Sequence, residues 1–167
     1  MERLPHVHAF IDNYLSCARS VELFFRIPVS VTLAYAAIDS DWGTSSLAKE
    51  GIVFGQPLKH ENMEGLGAVK VTHLINRKET IQYFKKLTVR EAFLAYGEKL
   101  QVNPLFEEAH KYVDNPEKFL EIIAAGFQNV SEKTKAQLAR VTLKEHKLKD
   151  FDSWLYVDLK TNQLNKI

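Results

Sequence analysis

Acidic and aromatic side chains bunch at one point of the chain. Asp39, Asp41 and Trp42 close an apolar run, and Tyr35 lies one helical turn before Asp39, on the same face. A carboxyl at the end of a buried helix beside an indole is a setting that general-acid chemistry uses. By residue type alone, Asp39, Ser40 and Asp41 also serve as polar residues that close a helix, with Asp41 capping the turn that follows. Other chemistries lack their parts. The histidines show no metal-ligand spacing beyond His6-x-His8, and there is no H-E-x-x-H. No serine elbow, activated cysteine or glycine-rich phosphate loop is present. Neither a metal nor a cofactor is expected. Cys17 is the one cysteine, so no disulfide forms within the chain.

The elements that position these residues are mainly helical. Leu4, Val7, Phe10, Ile11, Tyr14, Leu15, Ala18, Val21 and Phe25 recur every three or four residues, which predicts a helix of about six turns. Pro28 suits the first position of a second helix, Val29 to about Ser40, whose small and aliphatic residues predict burial nearly all round. Trp42-Gly43 ends it, and Thr44 is expected to cap a short helix through Lys49, closed by Gly51. From residue 52 to about 86 the helical period is lost. Gly55, Pro57, Gly65 and Gly67 punctuate the stretch, and the β-rich runs 68–72 and 80–84 predict a hairpin lobe. Helix starts then return at the capping box Thr88–Glu91, at Asn103-Pro104 and Asn115-Pro116, and at Ser131. The last helix is expected to turn Leu138, Val141 and Leu148 inward.

With 167 residues, the chain has the length of one domain. A net charge of +1 gives no reason to expect a nucleic-acid or anionic-membrane partner. No apolar run approaches the ~18 residues that span a bilayer. The first residues lack a basic start followed by an apolar core, so no signal peptide is read there.

One long segment carries a specific likeness. Residues 27–51 read I-P-V-S-V-T-L-A-Y-A-A-I-D-S-D-W-G-T-S-S-L-A-K-E-G. This resembles the I-P-x-S-x-x-L-A-Q-A-x-x-E-S-x-W-G-x-S-x-L-A-x-E-G signature of family-73 glucosaminidases, without a gap. Residues 10–14, Tyr83 to Leu87 with Glu91-Ala92-Phe93, Asn103 to Phe106, and Leu148 to Asp152 resemble further segments of that family. The departures are local. Asp39 stands at the position of the family's catalytic glutamate and Tyr35 where glutamine is usual. Ile52-Val53 replace the two asparagines before Phe54-Gly55, with an apparent one-residue deletion. The family's G-Y-A-T-D reads Gly126-Phe127-Gln128-Asn129-Val130.

The resemblance implies an α+β, mainly helical fold: a lysozyme-like helical body with a small β-hairpin lobe flanking a glycan cleft. The domain would span residues 1–152, leaving 153–167 as a C-terminal tail. The implied activity is that of a peptidoglycan-directed endo-β-N-acetylglucosaminidase, hydrolysing glycan strands by general acid/base chemistry. Asp39 would be the acid, with Glu61 or Glu64 as the partner carboxylate from the β lobe. Tyr35, Trp42, Phe54 and Phe127 would line the sugar site, Trp42 and Phe54 reading first as packing at the lobe junction. The implied partner is peptidoglycan or another N-acetylglucosamine-containing glycan, and the implied compartment is the cell envelope or the exterior. The alternative is a catalytically impaired relative that binds glycans or serves as a structural or secretion-linked module.

Overall fold

The computed structural model describes residues 3–54, 68–85 and 87–152. Helix α1 (Pro5–Phe25) leads through Ile27-Pro28 into α2 (Val29–Ser40), followed by the short α3 (Ser46–Lys49). Strands β1 (Ala68–Ile75) and β2 (Lys78–Lys85) come next, then α4 (Val89–Gln101), α5 (Phe106–His110), α6 (Pro116–Gly126), α7 (Val130–Glu145) and a 3₁₀ turn, Leu148–Phe151. This is the mainly helical α+β architecture that the sequence implied.

Helix α2 is the axis of the body and packs against α1, α6, α7 and the 3₁₀ turn. Val29 to Ala37 are all buried, as a helix built of valine, alanine and leucine requires when it has neighbours on every side. Phe93, Phe119, Leu120, Ile123, Leu143 and Leu148 complete the core around it. Strands β1 and β2 form an antiparallel hairpin in register from Ala68–Lys85 to Ile75–Lys78. Its two-residue turn places Asn76 and Arg77 at φ 51° and 64°, the left-handed pair whose twist suits a tight hairpin.

Several local expectations are corrected. Ser45, not Thr44, caps α3, accepting from the Ala48 N–H, because the Thr44 hydroxyl is turned back to Asp41. Asn129, not Ser131, caps α7 by accepting from the Ser131 N–H at 2.8 Å. Asn103-Pro104 makes a turn rather than a helix start, and α5 begins at Phe106. Leu138 and Val141 lie exposed, while Ala136, Ala139 and Leu143 face inward. The close approach of α7 to α2 and α6 selects its alanine face, which hydropathy alone ranks below leucine and valine. The capping box at Thr88 and the Asn115 cap are both present.

A carboxylate from the far end of the described chain caps α2. Ser30 donates its N–H to Asp152 Oδ1 and its hydroxyl to Asp152 Oδ2, both at 2.7 Å. This ties the I-P-x-S start of the signature to its closing aspartate. Burial pushes the Asp152 carboxyl up to about 6, against the opposing pull of the two Ser30 hydrogen bonds, with the nearby charge of Glu22 adding to the rise. A carboxyl raised in the folded state contributes stability that is full below its usual value near 3.8 and is lost as pH rises through about 6. We therefore expect the stability of the wild type, measured against Asp152→Asn, to fall by about 3 kcal/mol between pH 3.5 and 8. Urea melts of both proteins at each pH check this; a flat difference would show that Asp152 does not titrate in this window.

Candidate active site

The turn after α2 holds Asp39 in place. Buried Ser40 donates its hydroxyl to the Ala36 carbonyl at 2.6 Å and accepts the Gly43 N–H at 3.0 Å. Asp41, Trp42 and Gly43 follow at φ 49°, 54° and 80°, three successive left-handed residues of which only the glycine is free of steric cost. The turn swings Trp42 away from Asp39. Its ring packs edge-on against Phe10 at 5.4 Å and against His146 at 4.6 Å, so Trp42 serves the body. The expectation that Trp42 meets sugar is not carried by this placement.

Asp39 opens the other way, into a cavity of about 280 Å³. Helix α2 supplies Tyr35 and Asp39, and the segment after Gly51 supplies Ile52 and Phe54. Strand β2 contributes Phe84, α4 contributes Tyr96, Lys99 and Leu100, the α6–α7 junction contributes Phe127, and α7 contributes Glu132 and Lys135. Of the residues singled out in the sequence, Tyr35, Asp39, Phe54 and Phe127 are thus brought together. Glu61 and Glu64 lie outside the described residues.

The walls are aromatic. Phe54 stacks on Tyr96 (centroids 4.7 Å, 6°) and meets Phe93 edge-on at 4.9 Å. Tyr35 and Tyr96 lie 5.3 Å apart. The polar groups form two ion pairs: Lys135 Nζ to Asp39 Oδ1 at 2.8 Å, and Lys99 Nζ to Glu132 Oε1 at 3.2 Å. Glu132 and Lys135 are three apart on α7 and so share one face of that helix. Burial first, and then the charges of Glu132 and Asp39, push the Tyr35 hydroxyl's pKa up and keep it protonated. Tyr96 is raised for the same leading reason, with Tyr35, Asp39 and Glu132 adding to the rise.

Sequence reading missed Tyr96, Lys99, Glu132 and Lys135. They are scattered over α4 and α7, and charged residues at such spacing read as solvated helix faces. Chemically, the pocket offers aromatic surface for a sugar ring, one carboxyl at the end of a buried helix, and a second carboxylate from α7. The Asp39 side chain is 18% exposed, and its Oδ1 holds Lys135.

No family model matches the sequence. Over 97 residues the chain is 28% identical to the exo-glucosaminidase LytG of Bacillus subtilis (strain 168); the match takes in 58% of this chain and 31% of that protein, so the chain spans under a third of it. In fold it resembles the catalytic domain of the autolysin Auto from Listeria monocytogenes, with a TM-score of 0.66 at 17% identity over 91% of this chain and 90% of that one. It likewise resembles the C-terminally truncated glycoside hydrolase domain of FlgJ from Salmonella typhimurium, with a TM-score of 0.62 at 19% identity, covering 84% and 97%. An N-acetylmuramoyl-L-alanine amidase from Staphylococcus aureus gives 0.64 at 18% identity, covering 90% and 45%. The chain is thus similar in fold to the autolysin and glycoside hydrolase domains, and similar in sequence over 97 residues to the exo-glucosaminidase.

Proposed function

We propose that the domain hydrolyses the glycan strands of peptidoglycan as an N-acetylglucosaminidase, with Asp39 as the general acid. The observation that carries this reading is the placement of Asp39 on the wall of an aromatic pocket, at the end of the helix bearing the glucosaminidase signature. Released from Lys135 and carrying a proton, Asp39 would protonate the leaving glycosidic oxygen as the bond to the sugar breaks, and a second carboxylate would activate water or attack directly. Among the described residues Glu132 is the other carboxylate lining the pocket; Glu61 and Glu64 remain the candidates from the segment between α3 and β1. The chain's relatives are named as an exo-glucosaminidase, an autolysin and a glycoside hydrolase domain, which supports the substrate class.

Two observations favour a second reading, a glycan-binding domain without turnover: Lys135 occupies Asp39 at 2.8 Å, and Phe127 has no hydroxyl to offer. The two readings part on incubation with purified peptidoglycan. A hydrolase releases soluble glycan. A binding domain sediments with the wall and releases none.

A further inference from the structure

Two lysines and two carboxylates share the wall of the pocket: Lys135 holds Asp39 at 2.8 Å, and Lys99 holds Glu132 at 3.2 Å. This is not the pairing that chain proximity favours. Glu132 and Lys135 stand three apart on α7, carboxylate first. At the same spacing and in the same order, Glu108 and Lys111 close an ion pair of 2.6 Å at α5. Glu132 therefore lies within reach of Lys135 along its own helix, yet Lys135 crosses to α2. What occupies its near neighbour is Lys99, which comes from α4. The charges of Asp39 and Glu132 are both felt at the Tyr35 hydroxyl, which puts the two carboxylates at one end of the pocket. The four groups thus have a second arrangement of equal net charge, in which Lys135 returns to Glu132, Lys99 turns to water and Asp39 is bare. The groups that must move have room to do so: the side chains of Lys135, Lys99 and Glu132 are 33%, 42% and 25% exposed. Ion pairs this close to solvent exchange at modest cost, because water screens each of them.

We propose that Lys135 is a latch on Asp39, and that Glu132 is the positioning residue that receives this lysine when a glycan enters. The inference rests on the hydrolase reading above. It gives Glu132 a task other than that of second catalytic carboxylate, and leaves that place to Glu61 or Glu64. Lys99 sets the balance: while it holds Glu132 the latch stays on Asp39, and its departure frees the receiving carboxylate. A glycan that hydrogen-bonds Asp39 binds the second arrangement alone, so its apparent affinity is lowered by the fraction of molecules already in that state.

The test is steady-state kinetics on soluble glycan strands prepared from peptidoglycan, with melts as the folding control. Lys135→Met and Lys99→Met should each lower KM about three- to tenfold, the scale of one partly exposed ion pair. Glu132→Gln should raise KM by a similar factor, because the released lysine then has only water to turn to. These changes fall on KM rather than kcat, since saturating glycan completes the exchange. In the Lys135→Met background, Glu132→Gln should add nothing, because no lysine is left to receive. Lys135→Gln, which also lacks the charge, repeats the test with a polar side chain and stands in if the methionine variant does not fold. A fall in kcat of about a hundredfold on Glu132→Gln, with or without Lys135, would make Glu132 a catalytic carboxylate and overturn this inference alone. Unchanged KM across the folded variants, or a higher KM without the lysine at 135, overturns it as well. Absence of cleavage by the wild type overturns the hydrolase reading, and this inference with it.

Discussion

Asp39→Asn is expected to lower the rate of peptidoglycan cleavage by about 10²–10⁴-fold, to background, in a protein that stays folded. Asparagine keeps the shape of the side chain and removes the proton that the leaving oxygen needs. The fold should tolerate the change, because Asp39 makes one ion pair, at the pocket rim, and Lys135 is a third exposed and can turn to water or to Glu132. The same geometry predicts the outcome of Asp39→Glu. The extra methylene pushes the carboxyl about 1 Å into a pocket already shaped around Asp39, Tyr35 and Lys135, and misplacement on that scale costs roughly a hundredfold. Activity should therefore fall with glutamate too, although glutamate is what the family signature carries here. Initial rates of fragment release, with circular dichroism melts as the folding control, decide both. Equal rates for wild type and Asp39→Asn would remove Asp39 from the role of acid.

Gly126→Ala should destabilise the domain by about 2–4 kcal/mol, combining overpacking with the loss of buried hydrogen bonds. Buried Asn103 donates its amide to the Ile123 carbonyl at 3.1 Å and accepts the Leu105 N–H at 2.9 Å, locking the end of α6 to the α4–α5 link. A Cβ on Gly126 would overlap the Asn103 side-chain oxygen, so alanine displaces the amide and orphans the groups it serves. For a domain of this size that is a fall of about 5–15 °C in Tm. The effect should reach the site as well, because Phe127 leaves α6 directly after Gly126 and lines the pocket. Thermal melts check the first part, and glycan affinity at a temperature where both proteins are folded checks the second. An unchanged Tm would show that Asn103 has room to move.

Much of this was legible in the sequence, for identifiable reasons. The bounds of helix α2 are legible because a nearly unbroken apolar run lies between Pro28 and the Trp42-Gly43 turn. The hairpin is legible in the β-rich runs 68–72 and 80–84 that follow Gly65 and Gly67, and its strands extend beyond those runs because backbone pairing does not need an apolar residue at every position. The buried face of α7 was misread because close helix packing favours alanine, which a hydropathy scan ranks below the exposed Leu138 and Val141. Asp39, Tyr35 and Phe54 were legible through the spacing of the signature and the Phe54-Gly55 pair after it, and Phe127 through the likeness of residues 126–130 to G-Y-A-T-D. The Asp152 cap, the Lys135–Asp39 pair and the Tyr35–Tyr96 couple were not. Each joins residues tens of positions apart or more, and only packing brings them together.

The central claim is tested most directly by digesting purified peptidoglycan with the wild-type domain and identifying the soluble products by mass spectrometry. The account predicts glycan fragments whose new reducing ends are N-acetylglucosamine, absent from the Asp39→Asn digest. Oligomeric fragments would mark endo action, and single terminal sugars the exo action named for the Bacillus subtilis relative. Intact glycan strands after prolonged incubation, or fragments ending in the other wall sugar, would contradict it.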